Sequence, residues 1–131
     1  MAKIHRIESG ARTLSPRRGE IFLTKFDPTV GHEIKKTRPA LVIQNDVANR
    51  LSQLTIVAPV TSRVRLPLSL VHVLIEAGPD TGLRVASVAS FDQIRTVNRV
   101  RLIRRLGSVD DETMERIDEA IKISLGVTRL D

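Results

Sequence analysis

Gly31-His32-Glu33-Ile34-Lys35-Lys36-Thr37-Arg38-Pro39-Ala40-Leu41-Val42-Ile43-Gln44-Asn45 decides how this chain is read. Its first half is polar and strongly cationic, the composition of a loop. Its second half is an apolar, β-branched run that reads as a buried strand over about 39–44. The two meet at Arg38-Pro39. A proline forces the residue before it into extended backbone, so Arg38 sits at the lip of the strand. Proline is tolerated at the first residue of a strand, which suits Pro39. A guanidinium at the rim of a core strand, beside a cationic loop, suits a phosphate better than a core.

Outward from this stretch the chain alternates short apolar runs with turn chemistry. Residues 20–26 read as a first strand, with Ile21 and Leu23 inward together with Phe22 or Phe26. Asp27-Pro28-Thr29-Val30-Gly31 carries turn residues, and the loop over 27–37 is long for a small domain, as functional loops often are. Residues 45–53 form a polar connection with room for one helical turn capped by Asn45. A third strand covers 54–60, with Pro59 marking an edge or a bulge. Further strands read at about 70–76, at 84–90 running on towards Gln93-Ile94, and at 102–106. Residues 78–82 make a strong turn and 97–102 hold a helical turn.

The C-terminal segment is the clearest helix. Met114, Ile117, Ile121 and Leu125 recur at helical spacing. Asp110, Asp111 and Glu112 place negative charge at its start, Ser108 or Asp110 can cap it, and Gly126 fits the position just past its end. Several short strands and one terminal helix predict a mostly β fold, a small, strongly bent sheet or barrel with the helix packed on it. Residues 1–16 read as a mobile tail, and 17–131 as a single domain.

Composition narrows the function. The chain has 131 residues, no cysteine, no Trp or Tyr and three Phe, so its core is aliphatic and thiolate metal sites are excluded. No apolar run reaches the length of a membrane span and there is no signal segment, which fits a soluble protein of a reducing cytoplasm. The net charge of +6 is unevenly spread: residues 1–50 carry ten Lys/Arg against five Asp/Glu, and residues 106–131 carry three against seven. A basic body with an acidic C-terminal segment favours a polyanionic partner.

The connection between the second and third strands is too short for a parallel crossover, so they run antiparallel. The start of one then lies beside the end of the other. Arg38, Thr61 and Ser62 thus meet at one edge, beneath a loop that adds His32, Glu33, Lys35 and Lys36. There is no HExxH, no P-loop and no GxSxG elbow. An arginine, a hydroxyl, a carboxylate and loop cations can run phosphate chemistry by positioning and charge stabilisation, most easily on RNA, whose 2′-OH is itself a nucleophile.

Four segments resemble the MazF/PemK family of toxin endoribonucleases. They are Arg18-Gly19-Glu20-Ile21, then Asp27-Pro28-Thr29-Val30-Gly31-His32-Glu33 with Arg38-Pro39-Ala40-Leu41-Val42-Ile43-Gln44-Asn45-Asp46, then Ile56-Val57-Ala58-Pro59-Val60-Thr61-Ser62, and Asp92-Gln93-Ile94-Arg95-Thr96-Val97. Their order and spacing match from about Arg17 to Val127. The resemblance implies an SH3-like barrel of the MazF/PemK/CcdB type with a C-terminal helix, a homodimer, and a cognate MazE-like antitoxin covering the RNA groove. It implies metal-independent, cofactor-free cleavage of single-stranded RNA at a short sequence, leaving 2′,3′-cyclic phosphate and 5′-OH ends.

On this reading Arg38, Thr61 and Glu33 are the catalytic residues, with His32 the alternative general base. His32, Lys35, Lys36, Thr37, Asn45, Ser62, Arg63 and Gln93 are the expected RNA-binding set. The sequence departs from the family's pattern at Phe22, where Trp is common, and at His32, where Ser is usual. With few aromatics to stack bases, recognition leans on Arg, Asn, Gln and backbone groups. Two alternatives belong to other classes: a catalytically silent RNA- or partner-binding barrel, and a CcdB-like gyrase poison. The second lacks support here, because the chain ends Thr128-Arg129-Leu130-Asp131 without the expected Trp-Gly-Ile.

Overall fold

The computed structural model describes residues 15–26 and 36–130. In chain order its elements are β1 (Glu20–Phe26), β2 (Lys36–Val42), α1 (Asp46–Leu51), β3 (Leu54–Thr61), β4 (His72–Ile75), β5 (Ser87–Ser90), β6 (Arg95–Asn98), a 3-10 turn (Arg99–Arg101), β7 (Leu102–Ser108) and α2 (Asp111–Ser124). The strands hydrogen-bond in the order β4-β5-β3-β2-β1-β7, with β6 paired to β3, and every strand pairing among the described residues is antiparallel. The fold is mostly β with one long terminal helix, as the sequence predicts.

The strand path does not close on itself through strand ladders, but a turn stitches its ends. Gly78 and Leu83 form an isolated bridge after β4, and the Ser108 backbone N–H at the end of β7 donates to the Asp80 carbonyl at 2.8 Å. Two glycines permit this approach. A Cβ on Gly107 would stand 2.2 Å from the Asp80 carbonyl oxygen, and one on Gly82 would stand 2.1 Å from that of Leu106. Gly82 also has a φ of +75°, where side chains are strained. The sheet therefore becomes a small barrel whose last seam is a turn laid on β7.

The central strands are buried on both faces. Ile21, Leu41, Ala58 and Val60 join Ile75, Phe91, Ile117 and Ala120 in a larger core beneath α2. Their alternating neighbours Phe22, Ala40, Val42 and Val57 join Val97 and Leu102 in a smaller core on the other side. Period-2 alternation sends successive side chains to opposite faces, so a strand covered twice reads as a continuous apolar run. Of the β1 side chains expected inward, Ile21 and Phe22 are both fully buried, in different cores, whereas Leu23 and Phe26 are half-buried. Burying each such side chain contributes roughly 1.5–3 kcal/mol relative to leaving it exposed.

Several boundaries move. β2 begins at Lys36, earlier than expected, because residues 36–39 pair with β1 while pairing with β3 starts only at Ala40. Pro39 thus lies where the β3-side ladder ends, and Lys36 and Thr37 belong to the strand. Pro59 falls where β3 passes its outer pairing from β6 to β5, the interruption its missing N–H demands. The expected fifth strand is shorter, Ser87–Ser90, and the Gln93 N–H turns back to the Ser90 carbonyl before β6 starts.

The Asp110 carboxylate caps α2 by accepting from the Thr113 N–H at 2.9 Å, and Gly126 follows the helix at a φ of +77°. Leu125 departs from the expected stripe. It lies just past the helix with non-helical backbone and is exposed, while Ala120 takes the buried place between Ile117 and Ile121. Asn45 caps α1, accepting from the Ala48 N–H at 2.8 Å. Pro16, at the end of the segment read as a tail, is buried, and residues 1–14 lie outside the described residues. Among the described residues no helix is long and apolar enough to cross a membrane.

Candidate functional site

Arg38 and Thr61 come together because of register. Ala40 pairs with Pro59, Leu41 with Ala58 and Val42 with Val57. Continuing that ladder two residues outward sets Arg38 opposite Thr61, and opposed residues of antiparallel strands present their side chains to the same side. Both line one cleft of about 640 Å³, together with Thr37, Pro39 and Ser62 from the same strand ends. This is the juxtaposition that chain topology implies.

The opposite wall comes from elements that sequence reasoning did not bring to the site. Leu83, Arg84, Val85 and Ser87 arrive from the turn stitched onto β7 and from β5, and Arg104 and Leu106 arrive from β7 itself. Leu23 pairs with Pro39 on one side and with Arg104 on the other, forming a row across three strands. The β1–β7 ladder shifts register on both sides of the Phe22–Leu23 pair, and such irregularities re-aim side chains beside functional clefts.

The electrostatics of the cleft are one-signed. Arg38, Arg84 and Arg104 line it, and none of its described lining residues is Asp, Glu or His. None of these three guanidiniums has an ion-pair or hydrogen-bond partner among the described residues. Some arginines elsewhere are paired, Arg18 with Asp118 at 2.7 Å and Arg105 with Glu20 at 2.8 Å. Unpaired guanidiniums converging on an open cleft form an anion site, whereas a structural arginine finds a carboxylate or carbonyl.

Thr61 is oriented. Its Oγ1 accepts the Arg63 backbone N–H at 3.1 Å. That bond fixes the oxygen and leaves the hydroxyl hydrogen to be donated elsewhere. The Ser87 hydroxyl, by contrast, donates to the Val85 carbonyl at 3.0 Å and so steadies the wall.

Other expected site residues lie apart from the cleft. Asn45 follows the opposite end of β2, with its side-chain oxygen spent on the helix cap. Gln93 is exposed in the turn between β5 and β6, and neither it nor Arg63 lines the cleft. Arg63 contributes through its backbone. His32, Glu33 and Lys35 lie outside the described residues, and of Lys36 only the backbone is described.

The Gln44-Asn45-Asp46 segment has a structural use. Asn49, fully buried, accepts from the Gln44 amide and the Thr55 hydroxyl and donates to the Gln44 carbonyl and to Asp46. The Arg18 backbone N–H donates to Asp46 at 2.7 Å, and this bond, aided by Asn49, Arg17 and Arg50, holds the Asp46 carboxyl below the usual carboxylate range against the opposing effect of burial. No group of three or more His, Cys, Asp or Glu that could hold a metal occurs among the described residues.

The fold is a small curved barrel with an arginine-lined cleft at two strand tips, whose described lining has no acid, the kind of surface that suits a phosphate-rich ligand. The comparisons give that class a family. The family model for "PemK-like, MazF-like toxin of type II toxin-antitoxin system" matches residues 17–125, and the chain belongs to this family. It is 40% identical to Endoribonuclease EndoA of Bacillus subtilis (strain 168) over 111 residues, 85% of this chain and 95% of that one. Among solved structures, the MazE–MazF complex (Form II) of Deinococcus radiodurans matches with a TM-score of 0.73 and 27% identity, over 88% of this chain and 99% of that one. The Mycobacterium tuberculosis toxin MazF-mt6 matches with a TM-score of 0.70 and 25% identity, over 84% and 99%.

Proposed function

We propose that this toxin is an endoribonuclease that cuts single-stranded RNA at a short sequence without a metal ion, leaving a 2′,3′-cyclic phosphate and a 5′-OH. Family membership and the EndoA relative support the activity class. The observation that carries the reading is the cleft at the tips of β2 and β3, lined by Arg38 and Thr61 together, with no acidic side chain in its described lining.

The chemistry follows from these groups. The RNA 2′-OH attacks the adjacent phosphorus, and Glu33, or in its place His32, takes the proton. Arg38 binds the scissile phosphate, offsets the charge of the pentacoordinate transition state, and supplies the leaving 5′ oxygen with its proton. Thr61, its oxygen held by the Arg63 N–H, donates to a non-bridging oxygen. The P–O5′ bond breaks as the new P–O2′ bond forms, which balances the products. A guanidinium stays protonated at ordinary pH, so Arg38 acts as a cation and not as the resting base. Lys35, Lys36, Thr37 and Ser62 hold the flanking strand.

By the same reading the toxin works as a cytoplasmic homodimer, and a MazE-like antitoxin silences it by laying an acidic segment across the basic cleft. The test is to incubate the protein with a long transcript in EDTA and to map 5′-OH ends. Discrete cuts at a recurring short sequence are expected. An intact transcript, or cutting only on addition of a divalent metal, would overturn the proposal.

A further inference from the structure

Arg84 and Arg104 have no role in the scheme above, yet they share the cleft with Arg38 and are equally without described partners. They reach it by independent routes. Arg104 is set by the β1–β7 ladder, in the row that runs through Leu23 to Pro39. Two strand spacings separate the ends of that row, so the Arg104 backbone stands roughly 10 Å from that of Pro39. Arg84 is delivered by the turn locked onto β7 through Gly82, Gly107 and the Asp80–Ser108 hydrogen bond.

One scissile phosphate uses one guanidinium and one hydroxyl, which Arg38 and Thr61 supply. Two more guanidiniums without a partner among the described residues, in a cleft whose described lining has no acid, exceed what that phosphate needs. Holding like charges side by side is unfavourable unless an anion joins them, and here no carboxylate among the described residues does so. We infer that Arg84 and Arg104 form a second phosphate subsite, which grips a backbone phosphate of the RNA strand flanking the one that is cut. The inference rests on the nuclease reading and extends it: the substrate is a strand bound at two phosphates or more, drawn across the cleft from the β2–β3 tips to β7. The half-buried Leu23 and Leu106 also line the cleft and offer an aliphatic surface for a ribose or a base face.

The experiment uses the full chain and its Arg84→Gln, Arg104→Gln and doubly substituted forms, with folding checked by thermal melting. The cut site is first mapped on a long transcript in EDTA. Affinity is then measured on a 2′-O-methyl oligonucleotide of that site across a salt series, and cleavage on the matching RNA. Each substitution is expected to weaken binding about tenfold and to flatten the slope of log affinity against log salt by about 0.7, the share of one phosphate contact on a single strand. The loss in cleavage should appear mainly in KM. A methylphosphonate in place of the flanking phosphate should weaken the wild-type protein and add little to the double variant.

Unchanged affinity and salt slope in the folded variants would overturn the subsite, as would loss of antitoxin binding with RNA binding intact. Failure of the wild-type protein to cut the transcript at all would instead sink the nuclease reading. Arg84→Lys, which keeps a charge on the turn, should recover most of the salt slope.

Discussion

Arg38 near the start of β2 and Thr61 at the end of β3, each two residues beyond the last β2–β3 pair of Ala40 with Pro59, line the same cleft. Neither position is held by chance. Arg38 is held by its pairing with Thr24 of β1 and Thr61 by its pairing with Val88 of β5, and the Arg63 N–H fixes the Thr61 oxygen. Removing one well-placed donor to developing charge costs about 100–1,000-fold in rate. Arg38→Ala and Thr61→Val should each lose cleavage on that scale, read by end-mapping on a transcript, while their melting temperatures stay near wild type. Thr61→Ser keeps the hydroxyl and should retain most activity. A folded Arg38→Ala protein that turned over normally would refute the assignment.

The seam between the 78–83 turn and β7 should be intolerant of a single methyl group. Gly107→Ala would drive Cβ into the Asp80 carbonyl, and backbone atoms cannot swing aside as a side chain can. Overpacking of this kind costs about 1–3 kcal/mol, and several degrees of melting temperature. Because the same seam carries Arg84 to the cleft, RNA affinity should fall in the folded fraction as well. A Gly107→Ala protein with wild-type melting and affinity would show that the barrel closes by other means.

Asn49 should behave as a core residue although it is polar. Its side chain satisfies groups on Gln44, Asp46 and Thr55 at once. Its backbone carbonyl, with that of Ser52, also faces the Arg99 guanidinium. Asn49→Ala leaves several buried donors and acceptors unmatched, each worth about 1–3 kcal/mol when orphaned. A loss of stability on the order of 2–4 kcal/mol is expected from denaturant unfolding. A loss under about 0.5 kcal/mol would mean that solvent replaces the amide without penalty.

Acid stability should trace to Asp46. Its folded-state pKa lies below the unfolded value, chiefly through the Arg18 N–H bond. The sign follows: a carboxylate that is more acidic when folded stabilises the fold above its unfolded pKa, and the contribution is lost as pH falls through the folded one. Asp110 is shifted the same way by Thr113 at the start of α2. Asp46→Asn should therefore lower stability at pH 7 and reduce its fall below about pH 4. Parallel stability–pH curves for variant and wild type would contradict this.

Much of this was legible along the chain, and what was not has a common cause. The Arg-Pro junction, the antiparallel β2–β3 pair, the Asn45 cap and the terminal helix all rest on local chemistry, so short-range patterns reveal them. Arg84 and Arg104 reach the cleft only through tertiary closure. Arg104 sits in a run of charged and apolar residues that reads only as a short last strand, and Arg84 follows a turn. The packing need of Gly82 and Gly107, which would have located that closure, is invisible until the facing backbone is known. Leu125 failed for the opposite reason: periodicity continues past the point where the Gly126 turn ends the helix.

The general base separates two residues that the described cleft does not contain, Glu33 and His32. The described lining of the cleft has no carboxylate and no imidazole, and on the proposed mechanism the 2′-OH proton goes to a group outside that lining. A base works only when deprotonated, so the rate climbs with pH until the base has lost its proton, then levels. A glutamate would place that rise near about pH 4.3 and a histidine near about 6.5, before environmental shifts. If Glu33 is the base, Glu33→Gln should cut single-turnover cleavage about 100-fold or more and erase the acidic limb, while His32→Ala leaves the limb in place. A limb near neutrality that vanishes in His32→Ala would transfer the role to the imidazole. Retention of the limb in both single variants and their combination would exclude the pair, and point to the RNA or solvent as the proton acceptor.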